Sequence, residues 1–192
     1  MDMNQLIEAG HLGQYRNAKD TPYTDHLRGV ASVLLLAQSL TREIRDEQLV
    51  QDMINAALGH DLIEDTYVTE EDIVSAAGER TLSLIKELTN PVDDAHTDEY
   101  MAQLSSASEE ARLVKYADLI ENTLSVSYNL FRLEKEWVET FYLPILNRTE
   151  SVLRVTEFED YPETALLMRG WLFFVTNLLE VKKSNRWPVT GE

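Results

Sequence analysis

GHDLIEDTYVTEEDI, residues 59–73, sets His60 beside Asp61, adds Glu64 and Asp65 within a turn and a half, and then reads Thr69-Glu70-Glu71-Asp72. Thr69 followed by acids has the pattern of a capping box, so a short helix starts there and runs to about Ala77. The residues just before, MINAALG (53–59), are small and apolar, so the preceding helix reaches the core as it arrives at His60. On a continuous helix His60 and Glu64 share one face, and Asp61 and Asp65 share the neighbouring one. Negative charges crowded at the edge of a core repel one another. Either they all face water, or they surround a cation.

Helical spacing extends outward from this stretch in both directions. Val30, Val33, Leu34, Ala37 and Leu40 recur at three- and four-residue steps after Pro22, with Thr21 as the expected N-cap and Pro22 at the first helical position. Residues 47–64 read as one helix with a stripe of Leu49, Met53, Ala56, Ala57 and Leu58. Gly78 separates the Thr69 helix from another carrying Leu82, Leu84, Ile85 and Leu88. Residues 89–99 read as a polar loop with Pro91 at a turn, and Ser108 caps a long helix from Glu109 to about Phe131. Residues 134–155 are helical, with Pro144 a kink or boundary, and 157–164 connect to an apolar helix over 165–183. No alternation of strand type persists. The pattern predicts an all-α helical bundle, one domain over 1–192 with a motif-bearing core of about 5–131 completed by helices at about 134–183.

Composition narrows the function. The chain has 17 basic and 34 acidic residues in 192, a net charge of −17. Such a surface repels phosphate backbones and anionic bilayers, so neither a nucleic acid nor a membrane is an expected partner. A small anionic substrate needs a metal or a local basic cluster to reverse the sign. The absence of cysteine excludes disulfides, zinc–thiolate sites and thiol nucleophiles. The opening MDMNQLIEAG lacks the features of a signal peptide, so a cytoplasmic location is expected. The stretch 165–179, ALLMRGWLFFVTNLL, is broken by Arg169 and Asn177 and reads as too short for a bilayer. Its Trp171, Phe173 and Phe174 suit core packing, with a subunit contact, and so a homo-oligomer, left open.

A histidine followed by an acid arises by chance about 0.7 times in a chain of this composition, so the dipeptide alone carries little. Two other residues add to it. His26 lies on the helix face of Val30, Val33 and Ala37, where by itself it reads as a satisfied core histidine. Asp118 sits between Ala117 and Leu119 in a helix that should be buried, and a buried carboxylate needs a partner. Lys115, three residues back, is one candidate; a cation is another. Together His26, His60, Asp61 and Asp118 make a two-nitrogen, two-oxygen set that suits a divalent ion such as Mn²⁺ or Fe²⁺.

HLGQYR (11–16) with PYTDH (22–26), HDLIEDT (60–66) with TEEDI (69–73) and LIKELTN (84–90), and KYADLIENTLS (115–125) occur in order. This series resembles the HD superfamily of metal-dependent phosphohydrolases. It is most similar to the (p)ppGpp hydrolase domains of the RelA/SpoT alarmone family, including the small stand-alone hydrolases. The likeness covers about residues 5–126. The chain departs from it at Leu27, where a proline is usual, at Leu119, where a basic residue is usual, and in RNAKDT (16–21), which keeps Arg16 and Lys19 but lacks the glycine and one basic position.

The resemblance implies that His26, His60, Asp61 and Asp118 bind manganese, and that Glu64 and Asp65 position the attacking water and move protons. It further implies that Arg16, Lys19, Asn122 and Ser125 contact a small-molecule nucleotide whose 3′-linked pyrophosphate is released. His11 reads as structural and His96 as solvated. The altered basic positions keep a second reading open, the same chemistry on an adenosine alarmone, a nucleoside monophosphate or NADPH. A non-catalytic helical module that holds a metal or nucleotide is the third.

Overall fold

Several helix ends in this chain are closed by side chains that lie next to them in sequence, and others by side chains from far away. The computed structural model describes residues 1–16, 21–90 and 98–187. Asp2 and Gln5 form a capping box that opens α1 (Met3–Gly10). A two-stranded antiparallel ribbon follows, β1 (Tyr15–Arg16) paired with β2 (Thr21–Pro22), and leads into α2 (Tyr23–Thr41). After α3 (Glu47–Gly59) the chain turns at His60 and Asp61 into the single turn α4 (Leu62–Asp65). Thr69 and Asp72 make the expected capping box at the start of α5 (Glu70–Ala77), and Gly78, at φ +88°, turns the chain into α6 (Glu79–Leu88).

The second half begins with α7 (Asp98–Ser106) and the long α8 (Glu109–Asn129), which Ser108 caps by accepting from the Ala111 amide. A 3₁₀ turn over Leu130–Arg132 ends it. The short α9 (Lys135–Trp137) then runs through a π-helical segment, Val138–Tyr142, into α10 (Leu143–Val155). α11 (Pro162–Arg186) closes the described chain.

α8 is the axis of the core. α2, α3, α6 and α11 pack against it, and its Leu113, Val114, Ala117 and Ile120 are buried among them. Polar side chains tie it to the C-terminal helices as well. The buried Tyr116 hydroxyl donates to the Leu153 carbonyl at 2.9 Å, and Arg169 of α11 donates to that hydroxyl at 3.1 Å. Thr123 meets the Tyr142 hydroxyl at 2.8 Å.

The structure alters several expectations. Thr21 does not cap α2; it is drawn into the ribbon, and Pro22, extended at ψ 141°, holds the cap position. The expected helix over 47–64 is broken at His60–Asp61, because Asp61 stands at φ −99° and ψ 0°. α7 was not anticipated, and residues 91–97 of the expected loop, including Pro91 and His96, lie outside the described residues. Pro144 starts α10 after the π segment, so it marks a boundary. α11 is longer than its apolar stretch suggested and, by length and composition, could cross a membrane. One stripe of it, Ala165, Met168, Leu172, Val175 and Leu179, is buried. Phe173 and Phe174 lie off that stripe and are 68% and 65% exposed, against the core packing expected of them, while Trp171 is half-buried.

The N-terminus of α11 has no cap of its own. Glu43, in the connection just after α2, supplies it by accepting from the Glu163 and Thr164 amides at 3.1 and 2.9 Å and from the Thr164 hydroxyl at 2.8 Å. Glu43→Ala leaves these donors without that acceptor and should cost about 1–2 kcal/mol. A urea titration followed by circular dichroism measures it, and a cost under about 0.3 kcal/mol would show that water replaces the cap.

Candidate functional site

The break between α3 and α4 decides the geometry of the site. The Gly59 position is too tight for a side chain, since a Cβ there would meet Ile85 Cδ1 at 2.9 Å. Packed this closely, the end of α3 delivers His60 into the core, where it is almost fully buried. Its Nδ1–H donates to the Ala57 carbonyl at 2.9 Å, which leaves Nε2 to face inward. The turn at Asp61 brings that carboxylate beside the ring, with Nε2 to Oδ2 at 3.2 Å.

α2 and α8 complete the cluster. His26 Nε2 lies 3.7 Å from Asp61 Oδ2 and 3.4 Å from Asp118 Oδ1, and His60 Nε2 lies 3.6 Å from that same Asp118 oxygen. Each histidine Nε2 thus stands 3.2–3.7 Å from an oxygen of both aspartates. Ligands about 2.1 Å from a common ion stand about 3.0–3.4 Å apart in octahedral or tetrahedral geometry, so these four histidine–carboxylate separations come within a few tenths of an ångström of those around a divalent metal. His26, His60 and Asp61 alone already satisfy the spacing of a metal-holding group.

The electrostatics are those of a site short of positive charge. Burial favours neutral rings, yet the Asp61 and Asp118 carboxylates outweigh it and push His60 up to about 9. His26 is raised in the same way, against burial, by Asp118 and Glu121. Burial would raise both aspartates, but Lys115 and the two histidines hold Asp118 well below the usual carboxylate range, and His60 and His26 lower Asp61. A cation in the centre would answer the same demand.

Of the two partners foreseen for Asp118, Lys115 is in place. Oδ2 takes the Lys115 ammonium at 2.8 Å, while Oδ1 faces the histidines and also accepts from Asn122 Nδ2 at 2.5 Å.

Beside the cluster opens a cavity lined by His60, Asp61, Glu64, Lys115, Asp118 and Asn122, with Tyr100, Leu119 and Tyr142 among its other walls. Glu64 enters it and accepts from the Asn90 amide at 2.6 Å; burial, then the Asp61 charge, raise its affinity for a proton. Asp65 is also raised, by burial and by Asp61, but lies outside the cavity, near Tyr23 and His11. Arg16 reaches Asn122 and Glu121, the latter at 2.8 Å. Ser125 is half-buried on α8, one turn beyond Asn122, and does not line the cavity. Lys19 lies outside the described residues. His11 is buried, stacked on Tyr23 with ring centroids 4.8 Å apart and bonded to Gln14, consistent with a structural part.

Tyr23 and Glu121 were not singled out from the sequence. Tyr23 donates to Asp61 Oδ2 at 2.7 Å, and Glu121 contacts His26 Nδ1. Tyr23 stands three positions from His26 and Glu121 three from Asp118, a spacing that puts each pair on one helix face.

No family model matches the chain. A protein named guanosine-3′,5′-bis(diphosphate) 3′-pyrophosphohydrolase MESH1 from Drosophila melanogaster is 27% identical over 133 residues, 67% of this chain and 70% of its own length. The protein of that name from Mus musculus is 30% identical over 128 residues, 62% of this chain and 67% of its own length. This chain belongs to that family. A solved structure described as a metazoan ortholog of SpoT that hydrolyzes ppGpp matches with a TM-score of 0.64 over 92% of this chain and 94% of its own, at 24% identity, and so shares the fold. The all-α arrangement expected from the helical spacing is the fold of the family.

The histidine–aspartate cluster predicts that a divalent ion binds the folded chain and not the unfolded one. At a hundred times its dissociation constant the ion should stabilise the metal-stripped protein by about 2.7 kcal/mol, and Asp61→Ala should abolish the gain. Thermal melts with and without Mn²⁺ read this out; equal melting temperatures at millimolar Mn²⁺ would mean that the cluster holds no ion.

Proposed function

We propose that this chain hydrolyses ppGpp and pppGpp at the 3′ position, releasing pyrophosphate and GDP or GTP, with manganese held by His26, His60, Asp61 and Asp118. The observation that carries the reading is the four-donor cluster opening onto a cavity with Glu64 on its wall, in a chain of the pyrophosphohydrolase family. When bound, the ion supplies positive charge that lowers the pKa of water and offsets phosphate charge.

The chain's own groups do the rest. Hydrolysis adds water across the bond between the 3′ oxygen and the adjacent phosphorus. Glu64, held by the Asn90 amide and shifted upward by burial, takes the proton from that water and passes it to the leaving 3′ oxygen as the bond to phosphorus breaks. Asp65 assists from behind through Tyr23 and Asp61. Arg16 and Lys19 grip phosphate, and Asn122 faces the nucleotide from the cavity wall; Ser125, one turn further along α8 and outside that cavity, meets only a part of the nucleotide that extends past it. Residues 1–192 act as one unit, a reading supported by the bonds from Tyr116 and Thr123 to the C-terminal helices.

One observation favours a second reading. Leu119, where related hydrolases are expected to carry a basic residue, lines the cavity. The same centre could therefore act on a phosphorylated nucleotide with less charge on that side, such as an adenosine alarmone, a nucleoside monophosphate or NADPH.

The experiment is pyrophosphate release from ppGpp by metal-stripped protein before and after Mn²⁺. Mn²⁺-dependent release is expected, with Glu64→Gln lowering kcat by about 10²–10⁴-fold while Mn²⁺ still binds. Bound Mn²⁺ without cleavage of ppGpp sinks the alarmone reading, and the same assay on the other nucleotides then finds the substrate.

A further inference from the structure

The Nδ1 of His26 is not bonded to a backbone carbonyl as that of His60 is. It meets the Glu121 carboxylate, which stands one turn along α8 from Asp118. The same Glu121 oxygen accepts from Arg16 NH1 at 2.8 Å, and the other guanidinium nitrogen bonds Asn122. One half-buried carboxylate therefore joins the inner histidine of the metal cluster to the arginine at the edge of the site.

The approach of Glu121 depends on a gap in α2. Gly29 lies three residues after His26, and a Cβ there would stand 2.8 Å from Glu121 Cγ and 3.4 Å from its Cδ and Oε1. Gly29 has ordinary helical backbone, so turn geometry does not demand glycine. What demands it is the close passage of Glu121. The α2 sequence thus spends helix propensity at one position to let this carboxylate reach the histidine.

We propose that Glu121 is a positioning residue of the metal centre, holding His26 with Nε2 turned to the ion by accepting its Nδ1 proton, in a seat that Gly29 keeps open and Arg16 braces. A carboxylate behind a ligating histidine sets its ring orientation and raises its basicity. This rests on the metal-centre part of the proposed function and is independent of which nucleotide is cleaved.

The test is Mn²⁺ affinity by isothermal titration of the metal-stripped full chain, together with the visible spectrum of the Co²⁺-loaded protein. Glu121→Ala should weaken Mn²⁺ binding by roughly ten- to a hundredfold and alter the Co²⁺ spectrum. Gly29→Ala, which leaves the charge in place but pushes the side chain away, should weaken binding in the same direction. Glu121→Gln, which keeps an oxygen acceptor there, should recover most of the loss. If Glu121→Ala fails to fold, the Gly29→Ala and Glu121→Gln pair decides. Mn²⁺ affinities of Glu121→Ala and Gly29→Ala within twofold of the wild type overturn the assignment. A wild type that binds no Mn²⁺ overturns it together with the metal centre, whereas one that binds Mn²⁺ but spares ppGpp counts against the substrate alone.

Discussion

Asp118 is a carboxylate carried into the core of the protein by its central helix, and its charge cannot remain there alone. The neighbourhood is built around that constraint. One oxygen is matched by Lys115 from the same helix, and the other is turned to two histidines from α2 and from the end of α3. A neutral residue at 118 would let α2, α3 and α8 pack as an ordinary apolar bundle. The aspartate obliges them to bring polar partners to one point, and that point is the site.

The partners are held by a second layer. Ala57 fixes His60, Glu121 contacts His26, and Tyr23 bonds Asp61. With these contacts in place, Nε2 of both histidines faces the carboxylates at the centre. The layer reaches outward on one side to Arg16 and the short ribbon, and on the other through Asn122 to the cavity wall. The net charge of −17 makes this arrangement necessary, because the molecule as a whole repels the phosphates that such a site must admit. Attraction has to be local.

The placement of Glu64 follows from the break at His60–Asp61. On an unbroken helix, Glu64 and Asp65 would belong to two adjacent faces of equal standing. With α3 ended and α4 reduced to one turn, Glu64 enters the cavity and Asp65 falls behind, beside Tyr23 and His11. Two acids adjacent in sequence thereby occupy different environments. The break was not legible as a pattern because His, Asp and Leu all tolerate helix; packing of Gly59 against Ile85 and the bond from Tyr23 to Asp61 accompany it.

Much else depended only on neighbours in sequence and could be read there. The helical class, the Thr69 and Ser108 caps and the turn at Gly78 follow from side-chain chemistry acting over three or four positions. Contacts that join distant residues were decided by tertiary structure alone. Glu43 caps a helix 120 residues away, Thr21 pairs in a ribbon instead of capping, and Phe173 and Phe174 face outward because the buried stripe of α11 takes the other side. The same holds for Asp118, whose sequence neighbourhood supplied Lys115 as a partner but gave no distance to the histidines. A carboxylate's need for a counter-charge is a property of the residue. Which groups meet it, and how its two oxygens are divided between them, is set by how three helices cross.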